Sequence, residues 1–272
     1  RFFDPRIATP DAFFAWLRQH KAVASLLENA EPIGARGLDH LAYGTRRFVS
    51  PDRWGLVGEA AAFPDPFYSP GTDFIALEND FLADLIARDL GGEPKPALDE
   101  RAEIYEQFLQ FRVEAALRLY RGLYPVIGSY EVCKLKWDFD LGCYYALWVA
   151  PYMLDRHLDL RYLKTQLSQR ERVLGALGNF ASFFLQIEKH LTESGAYHRR
   201  NLGEYSDGRD RIGFLEQVGQ QYSEREAIVR VQEIFNGIRR QGLALLGEAT
   251  PATPPEDRSL AWFSTARSLV DG

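Results

Sequence analysis

The stretch Arg53–Leu85, RWGLVGEAAAFPDPFYSPGTDFIALENDFLADL, decides how the chain is organised. A short apolar run ends at Gly58, where the missing side chain lets another group approach the backbone closely. An acid, Glu59, and three alanines follow, and small side chains at such a point favour a planar or polyhydroxy ligand. The loop Asp65–Thr72 leads into a helix, whose first N–H groups have no partner within the helix and favour an anion or an electron-rich carbonyl. The stretch therefore predicts a strand, a ligand-binding turn and a helix.

This order of residues resembles the second FAD motif of the flavoprotein aromatic monooxygenases and the flavin-dependent halogenases. In that motif a Leu-Val-Gly-Asp-Ala-Ala strand end precedes Asp-Pro and a Gly-containing helix start. The matching positions here are Leu56, Val57, Gly58, Glu59, Ala60, Ala61, Asp65, Pro66, Ser69 and Gly71, and Ala76-Leu77-Glu78 follows on the helix. The resemblance covers about residues 38 to 88.

The resemblance implies a site for the flavin half of FAD. The acid after the glycine would hydrogen-bond the ribityl chain, Asp-Pro would lie against the isoalloxazine, and the helix start would face the flavin carbonyl edge. The implied cofactor-binding residues are Gly58, Glu59, Asp65, Pro66, Ser69, Gly71 and Thr72. The reduced flavin would react with oxygen and either hydroxylate an organic, aromatic or apolar substrate or oxidise a halide. No residue is assigned as a catalytic acid, base or nucleophile.

The chain departs from the family pattern at two positions. Glu59 stands where the family has Asp, so its carboxylate is on a longer arm and the ribityl contact is displaced or made through water. Tyr68 stands directly before Ser69, where tryptophan halogenases carry a glutamate that assists catalysis. The sequence therefore disfavours a tryptophan halogenase and is compatible with members that act on phenols or pyrroles, which are often carrier-bound.

The nucleotide-binding half of such an enzyme is not in this sequence, because no GxGxxG follows a strand. The halogenase lysine and the WxWxIP motif are also expected upstream. Since the chain opens with Arg1 and not with Met, we expect a carboxy-terminal portion of a longer protein. A small-molecule or carrier-bound substrate and a flavin reductase are the expected partners.

The predicted fold is mainly α with a small α/β remnant. We assign residues 1–92 to the carboxy-terminal part of an FAD/NAD(P)-binding fold of the p-hydroxybenzoate-hydroxylase type, and residues 93–272 to a helical domain. A capped helix starts at Thr9-Pro10-Asp11, Trp54–Val57 is typical of a buried strand, and Glu93–Pro96 of a linker. An apolar stripe at helical spacing predicts one helix and consists of Ile104, Phe108, Phe111, Ala115, Leu119 and Leu123. Further helices are predicted over about 71–90, 141–154, 158–192, 209–220, 223–247 and 257–270.

Composition excludes several other classes of protein. A net charge of −6 and a pI near 5.5 disfavour a nucleic-acid binder, whose footprint is a basic face. The longest apolar run, 141–154, is shorter than the roughly 20 residues that span a bilayer, so no integral membrane segment is expected. Cys133 and Cys143 fit neither a disulfide framework nor CxxC metal spacing. These observations favour a cytoplasmic protein.

Other polar residues are weaker candidates for a site. Asp155, His157 and Asp159 are two residues apart, and such steps on a helix point away from one another, so no metal site is predicted. His40, just before the flavin-like stretch, is a better functional candidate. Two alternative functions stay open: a geranylgeranyl-reductase-like flavoprotein that reduces lipid double bonds, and a non-enzymatic helical interaction protein with a degenerate flavin motif.

Overall fold

A computed structural model describes residues 7, 9–31, 33, 34, 42–67, 69–144, 148–201 and 224–247. The chain divides into two compact units, 1–43 and 44–272. In the first, α1 (Pro10–Leu17) is followed by α2 (Lys21–Leu26). The Oγ1 atom of Thr9 accepts the N–H of Ala12 at 3.3 Å and Pro10 opens the helix, which confirms the predicted capped start.

The second unit begins with a small antiparallel hairpin of β1 (Val49–Ser50) and β2 (Trp54–Gly55). Gly55 lies directly on the following helix, because a Cβ there would stand 2.4 Å from Cδ2 of Leu82. The prediction of a buried strand is wrong for Trp54, whose side chain is 45% exposed. Strand β2 is shorter than predicted, and its two residues are exposed and half-buried, whereas both residues of β1 are buried.

Two long helices form the frame of this unit. Helix α3 (Gly71–Leu90) has the predicted bounds and ends at Gly91-Gly92, where Gly92 has a φ of +80°. Helix α4 (Lys95–Tyr120) starts inside the predicted linker, because Pro96 fits the first turn of a helix. The apolar stripe predicted for this region is buried along its whole length: Ile104, Phe108, Phe111, Ala115, Leu119 and Leu123.

The rest of the described chain is helical. The helices are α5 (Tyr124–Ile127), α6 (Tyr130–Tyr144), α7 (Ala150–Met153), α8 (Leu160–Ser168), α9 (Arg170–Glu193) and α10 (Glu224–Leu245). Of the predicted helix over 141–154, the described residues 141–144 belong to α6, residues 148 and 149 are π-helical and Ala150–Met153 form α7, so its described part is helical up to Met153. The predicted helix over 158–192 divides at Gln169. The helix over 223–247 is confirmed, and the two predicted for 209–220 and 257–270 lie outside the described residues.

Helices α4, α6, α9 and α10 enclose an aromatic core. The ring of Phe139 lies 4.4 Å from that of Phe180 and 5.0 Å from that of Phe235. The mainly α character is therefore confirmed, while the FAD-binding fold and the division at residue 92 stay predictions. Of the described helices, none is both long enough and apolar enough to cross a membrane.

Candidate functional site

The turn that starts at Gly58 is built so that only glycine fits. Gly58 begins a 3₁₀ turn, Gly58–Ala60, with a φ of +62°, a backbone conformation that side chains disfavour. A Cβ at this position would lie 2.9 Å from Cγ1 of Ile75 on α3. The backbone N–H of Gly58 donates to Oε2 of Glu78 at 2.5 Å. The turn is thus fixed against α3 by one packing contact and one hydrogen bond.

Glu78 is a buried acid on the inner face of α3. Its side chain is 1% exposed and lies among the buried residues Phe74, Leu77 and Phe81 of the same helix. Burial raises the pKa of Glu78 to about 7, although the N–H of Gly58 favours the charged form. The sequence showed Glu78 only as part of a motif, but an acid within the apolar stripe of a helix indicates a buried partner.

Glu59 is the middle residue of this turn and lies on its outer side. Glu59 and Ala60 are exposed, whereas Ala61 and Ala62 are buried. The acid predicted to contact a ribityl chain therefore stands at the surface, next to a turn that the protein holds rigidly. Its role in binding a cofactor stays a prediction.

Asp65 fixes the loop that leads to α3. Its Oδ1 accepts the N–H of Phe67 at 2.8 Å, so Asp65 caps a turn around Pro66. Its Oδ2 accepts the hydroxyl of Tyr124 at 2.6 Å, so the loop is tied to the start of α5. The carboxylate is committed to the protein, while Pro66 between these contacts is exposed.

The start of α3 has open space beside it, and its first backbone N–H groups have no side-chain acceptor. Pro70 stands at the N-cap position and has no side-chain acceptor for the first N–H groups of the helix. A Cβ on Gly71 would meet no atom within 4 Å. Ser69 and Thr72 are exposed, and Oγ1 of Thr72 donates to the carbonyl of Ser69 at 3.1 Å. Tyr68 lies outside the described residues.

The face of α3 opposite Glu78 is bound to the helical part of the unit by carboxylate–tyrosine pairs. Three aspartates at helical spacing each accept a tyrosine hydroxyl: Asp73 from Tyr144 at 3.1 Å, Asp80 from Tyr152 at 2.7 Å, and Asp84 from Tyr105 at 2.7 Å. Burial raises the pKa of Asp73, and the hydroxyl of Tyr144 opposes this shift. The sequence analysis missed these pairs, although acids at 73, 80 and 84 share one helical face. They hold α3 in place from its first turn, at Asp73, to its fourth, at Asp84.

A second polar cluster lies inside the helical part. Nζ of Lys136 and Oδ2 of Asp140 form a short ion pair along α6, and the two side chains are 3% and 5% exposed. Burial raises the pKa of the nearby Tyr120 hydroxyl, and the carboxylates of Asp140, Asp65 and Asp73 add to this effect.

The predicted site residues do not all come together. Gly58 and Glu59 belong to a turn that packs on α3, the helix that begins at Gly71, whereas the carboxylate of Asp65 is engaged by Tyr124. His40 lies outside the described residues.

The His157 side chain is held by contacts within the protein. Its Nε2 contacts Oδ2 of Asp80 at 2.9 Å, and its ring stacks on Tyr152 at 4.4 Å. Asp159, in turn, caps α8 by accepting the N–H of Arg161 at 2.9 Å. Within the described ranges, no three His, Cys, Asp or Glu side chains are grouped to hold a metal ion.

Comparison with known proteins finds a distant similarity to a halogenase. Over 149 residues, 54% of this chain, the sequence is 24% identical to the flavin-dependent halogenase chlA of Dictyostelium discoideum. The chain spans about a quarter of that protein's length, since the aligned part is 24% of it. No protein-family model and no solved structure matches the chain. The chain is therefore distantly similar to a flavin-dependent halogenase.

Proposed function

We propose that the chain supplies the flavin-facing part of a flavin-dependent oxidoreductase of the halogenase-like or monooxygenase type. The observation that carries this proposal is the Gly58 turn, which Glu78 and Ile75 fix on α3 beside the open start of that helix. The order of residues from Leu56 to Gly71 supports it, as does the distant similarity to a flavin-dependent halogenase.

The residues present fit a flavin. The exposed Glu59 carboxylate is an acceptor for the hydroxyls of a ribityl chain. The exposed Pro66 provides an apolar face for a planar ring, and Gly71 with Thr72 opens a helix whose start favours an electron-rich carbonyl edge. Asp65 contributes indirectly, because its two hydrogen bonds fix the loop around Pro66.

When bound and reduced, the flavin supplies the oxygen chemistry for hydroxylation or halide oxidation. The residues of this chain bind the flavin, orient it and limit its contact with water. The helical part would cover the substrate side, and an aromatic or apolar substrate, free or carrier-bound, suits this enzyme class. The nucleotide-binding half of the FAD site, a flavin reductase as partner and a cytoplasmic location complete the proposal.

Gly71→Val tests the assigned site in the full-length protein. Since a Cβ at Gly71 meets no protein atom within 4 Å, added bulk there reaches a bound ligand and leaves the packing intact. We expect the FAD dissociation constant, measured by fluorescence titration, to rise about tenfold or more, which corresponds to about 1.4 kcal/mol. The Tm of the FAD-free protein should stay within about 2 °C of the wild type, because only a surface position changes.

Gly175→Val is the matched control. Gly175 is exposed on α9, and its Cβ position is also open. This variant should bind FAD like the wild type, and Val has a higher helix propensity than Gly. Unchanged FAD affinity in the Gly71→Val variant would remove the start of α3 from the proposed site.

A further inference from the structure

Three polar side chains on one side of α4 hold the chain that enters the β hairpin. Nε2 of Gln110 donates to the carbonyl of Arg46 at 3.0 Å, and Glu103 forms an ion pair with the guanidinium of Arg47 at 2.7 Å. Glu106, between them in sequence, is buried. Because these residues are three and four positions apart, they share one side of the helix. The entry to β1 is therefore fixed on α4.

Glu106 binds the backbone of this segment and not a neighbouring cation. Its Oε2 accepts the N–H of Phe48 at 2.7 Å and that of Val49 at 2.8 Å, and its Oε1 accepts Nε2 of Gln110 at 3.0 Å. Phe48 and Val49 are each 1% exposed, so water does not compete for their N–H groups. A buried N–H group without an acceptor is costly, and one carboxylate oxygen serves both groups. Glu106 therefore fixes the start of β1.

Phe48 connects this carboxylate to the Gly58 turn. Its N–H donates to Glu106, while its carbonyl accepts the N–H of Leu56 at 2.9 Å. Leu56 follows β2 directly and stands two residues before Gly58. A displacement of Phe48 therefore moves the chain that enters the turn.

We infer that Glu106 of α4 is a positioning residue for the Gly58 turn. Glu78 and Ile75 fix the turn itself on α3, whereas Glu106 fixes the chain just before it on α4. The turn is thus held from two helices. The consequence for flavin binding rests on the proposed function, but the position of the turn can be measured without flavin.

Hydrogen exchange in the FAD-free, full-length protein tests the position of the turn. Glu106→Ala removes the acceptor of both N–H groups, so exchange over residues 48–60, relative to exchange in α6, should become about tenfold faster or more. Glu106→Gln should restore the wild-type ratio, because the amide oxygen can accept the same two N–H groups. If Glu106→Ala does not fold, Glu106→Asp takes its place, since its shorter side chain withdraws the carboxylate from β1. An unchanged ratio in the variant that folds would overturn the inference.

Two further variants separate positioning from a general loss of stability. Glu103→Ala removes the neighbouring ion pair, whose side chains are 37% and 40% exposed and which involves the Arg47 side chain. Leu191→Ala leaves a cavity at the buried end of α9, away from the hairpin. Neither variant should raise the exchange ratio of residues 48–60. A rise in Leu191→Ala equal to that in Glu106→Ala would show a global effect and would contradict the role of Glu106.

FAD titration links the turn to the proposed function. Well below its Tm, Glu106→Ala should bind FAD with a dissociation constant about tenfold higher than the wild type, while Glu106→Gln and Glu103→Ala bind normally. If the wild type binds FAD and Glu106→Ala binds it equally well, Glu106 does not position the cofactor site. A wild type that binds no FAD would refute the proposed flavin function, and the exchange ratio would still decide whether Glu106 positions the turn.

Discussion

The backbone N–H of Gly58 donates to the buried carboxylate of Glu78 across twenty residues of sequence. This bond joins the turn after β2 to the second turn of α3. Because Glu78 is buried, the same group that fixes the turn also exchanges a proton near neutral pH. The geometry of the proposed flavin site and the stability of the fold are thus linked through one side chain.

Stability should fall as pH rises from about 4.5 to about 7. The folded pKa of Glu78 lies at about 7, above its ordinary value of 4.5, so the folded state binds more protons than the unfolded state across this range. The favourable contribution is complete below pH 4.5 and is lost as the pH passes 7. We expect a loss on the order of 3 kcal/mol from this group, measured by urea unfolding at several pH values.

Glu78→Gln separates this effect from other titrations. The amide oxygen can still accept the N–H of Gly58, but the side chain no longer ionises. The variant should be at least as stable as the wild type at pH 8, with a flatter stability profile between pH 5 and 8. A wild-type profile that matches the Glu78→Gln profile would show that Glu78 does not control stability in this range.

Tyr124→Phe should loosen the loop that carries Pro66. The variant loses the 2.6 Å hydrogen bond to Asp65. A single hydrogen bond of this kind contributes about 0.5–1.5 kcal/mol to the free energy of unfolding. In the full-length protein the FAD dissociation constant should also rise. Tyr130→Phe serves as the control, because the Tyr130 side chain is 45% exposed. If both variants behave alike in denaturation and FAD titration, Tyr124 does not position the loop.

Removing one member of the buried ion pair on α6 should be costly. Lys136→Met leaves the Asp140 carboxylate buried beside an apolar side chain, and we expect a loss of about 3–5 kcal/mol in the free energy of unfolding. The double variant Lys136→Met/Asp140→Leu should recover most of this loss. Denaturant unfolding measures the stability of the two variants. A double variant that is less stable than the single variant would contradict the prediction.

Gly58→Ala should destabilise the protein more than Gly92→Ala. Both residues have positive φ, so both substitutions carry the backbone penalty of about 1–2 kcal/mol. Only at Gly58 does the new methyl group also meet a neighbour, Cγ1 of Ile75 at 2.9 Å, whereas the Cβ position at Gly92 is open. Thermal unfolding of the two variants compares them directly, and equal Tm losses would mean that the Ile75 contact does not hold the turn.

Local sequence patterns predicted well those helix ends and buried faces that depend on neighbouring residues. The capped start at Thr9, the bounds of α3 and the buried stripe of α4 follow from spacing and from Gly and Pro. The break at Gln169 was missed, although the five residues between Leu167 and Val173 are all polar and interrupt the apolar periodicity.

Local patterns did not predict the contacts between segments that are far apart in sequence. The pairing of Gly58 with Glu78 and that of Asp65 with Tyr124 depend on residues far apart in sequence. The sequence predicted a turn at Gly58 and a helix start at Gly71, and the structure has both. It did not show that the Asp65 carboxylate is occupied within the protein, because Tyr124 comes from another part of the chain.

The most direct test of the central proposal is the visible absorption spectrum and intact mass of the purified natural gene product that contains this chain. Our account predicts a polypeptide about 150–250 residues longer, the length of a nucleotide-binding part, with flavin absorption and one FAD per chain. A product that is colourless and takes up no added FAD would contradict the account. In that case the helical interaction-protein hypothesis would explain the chain better.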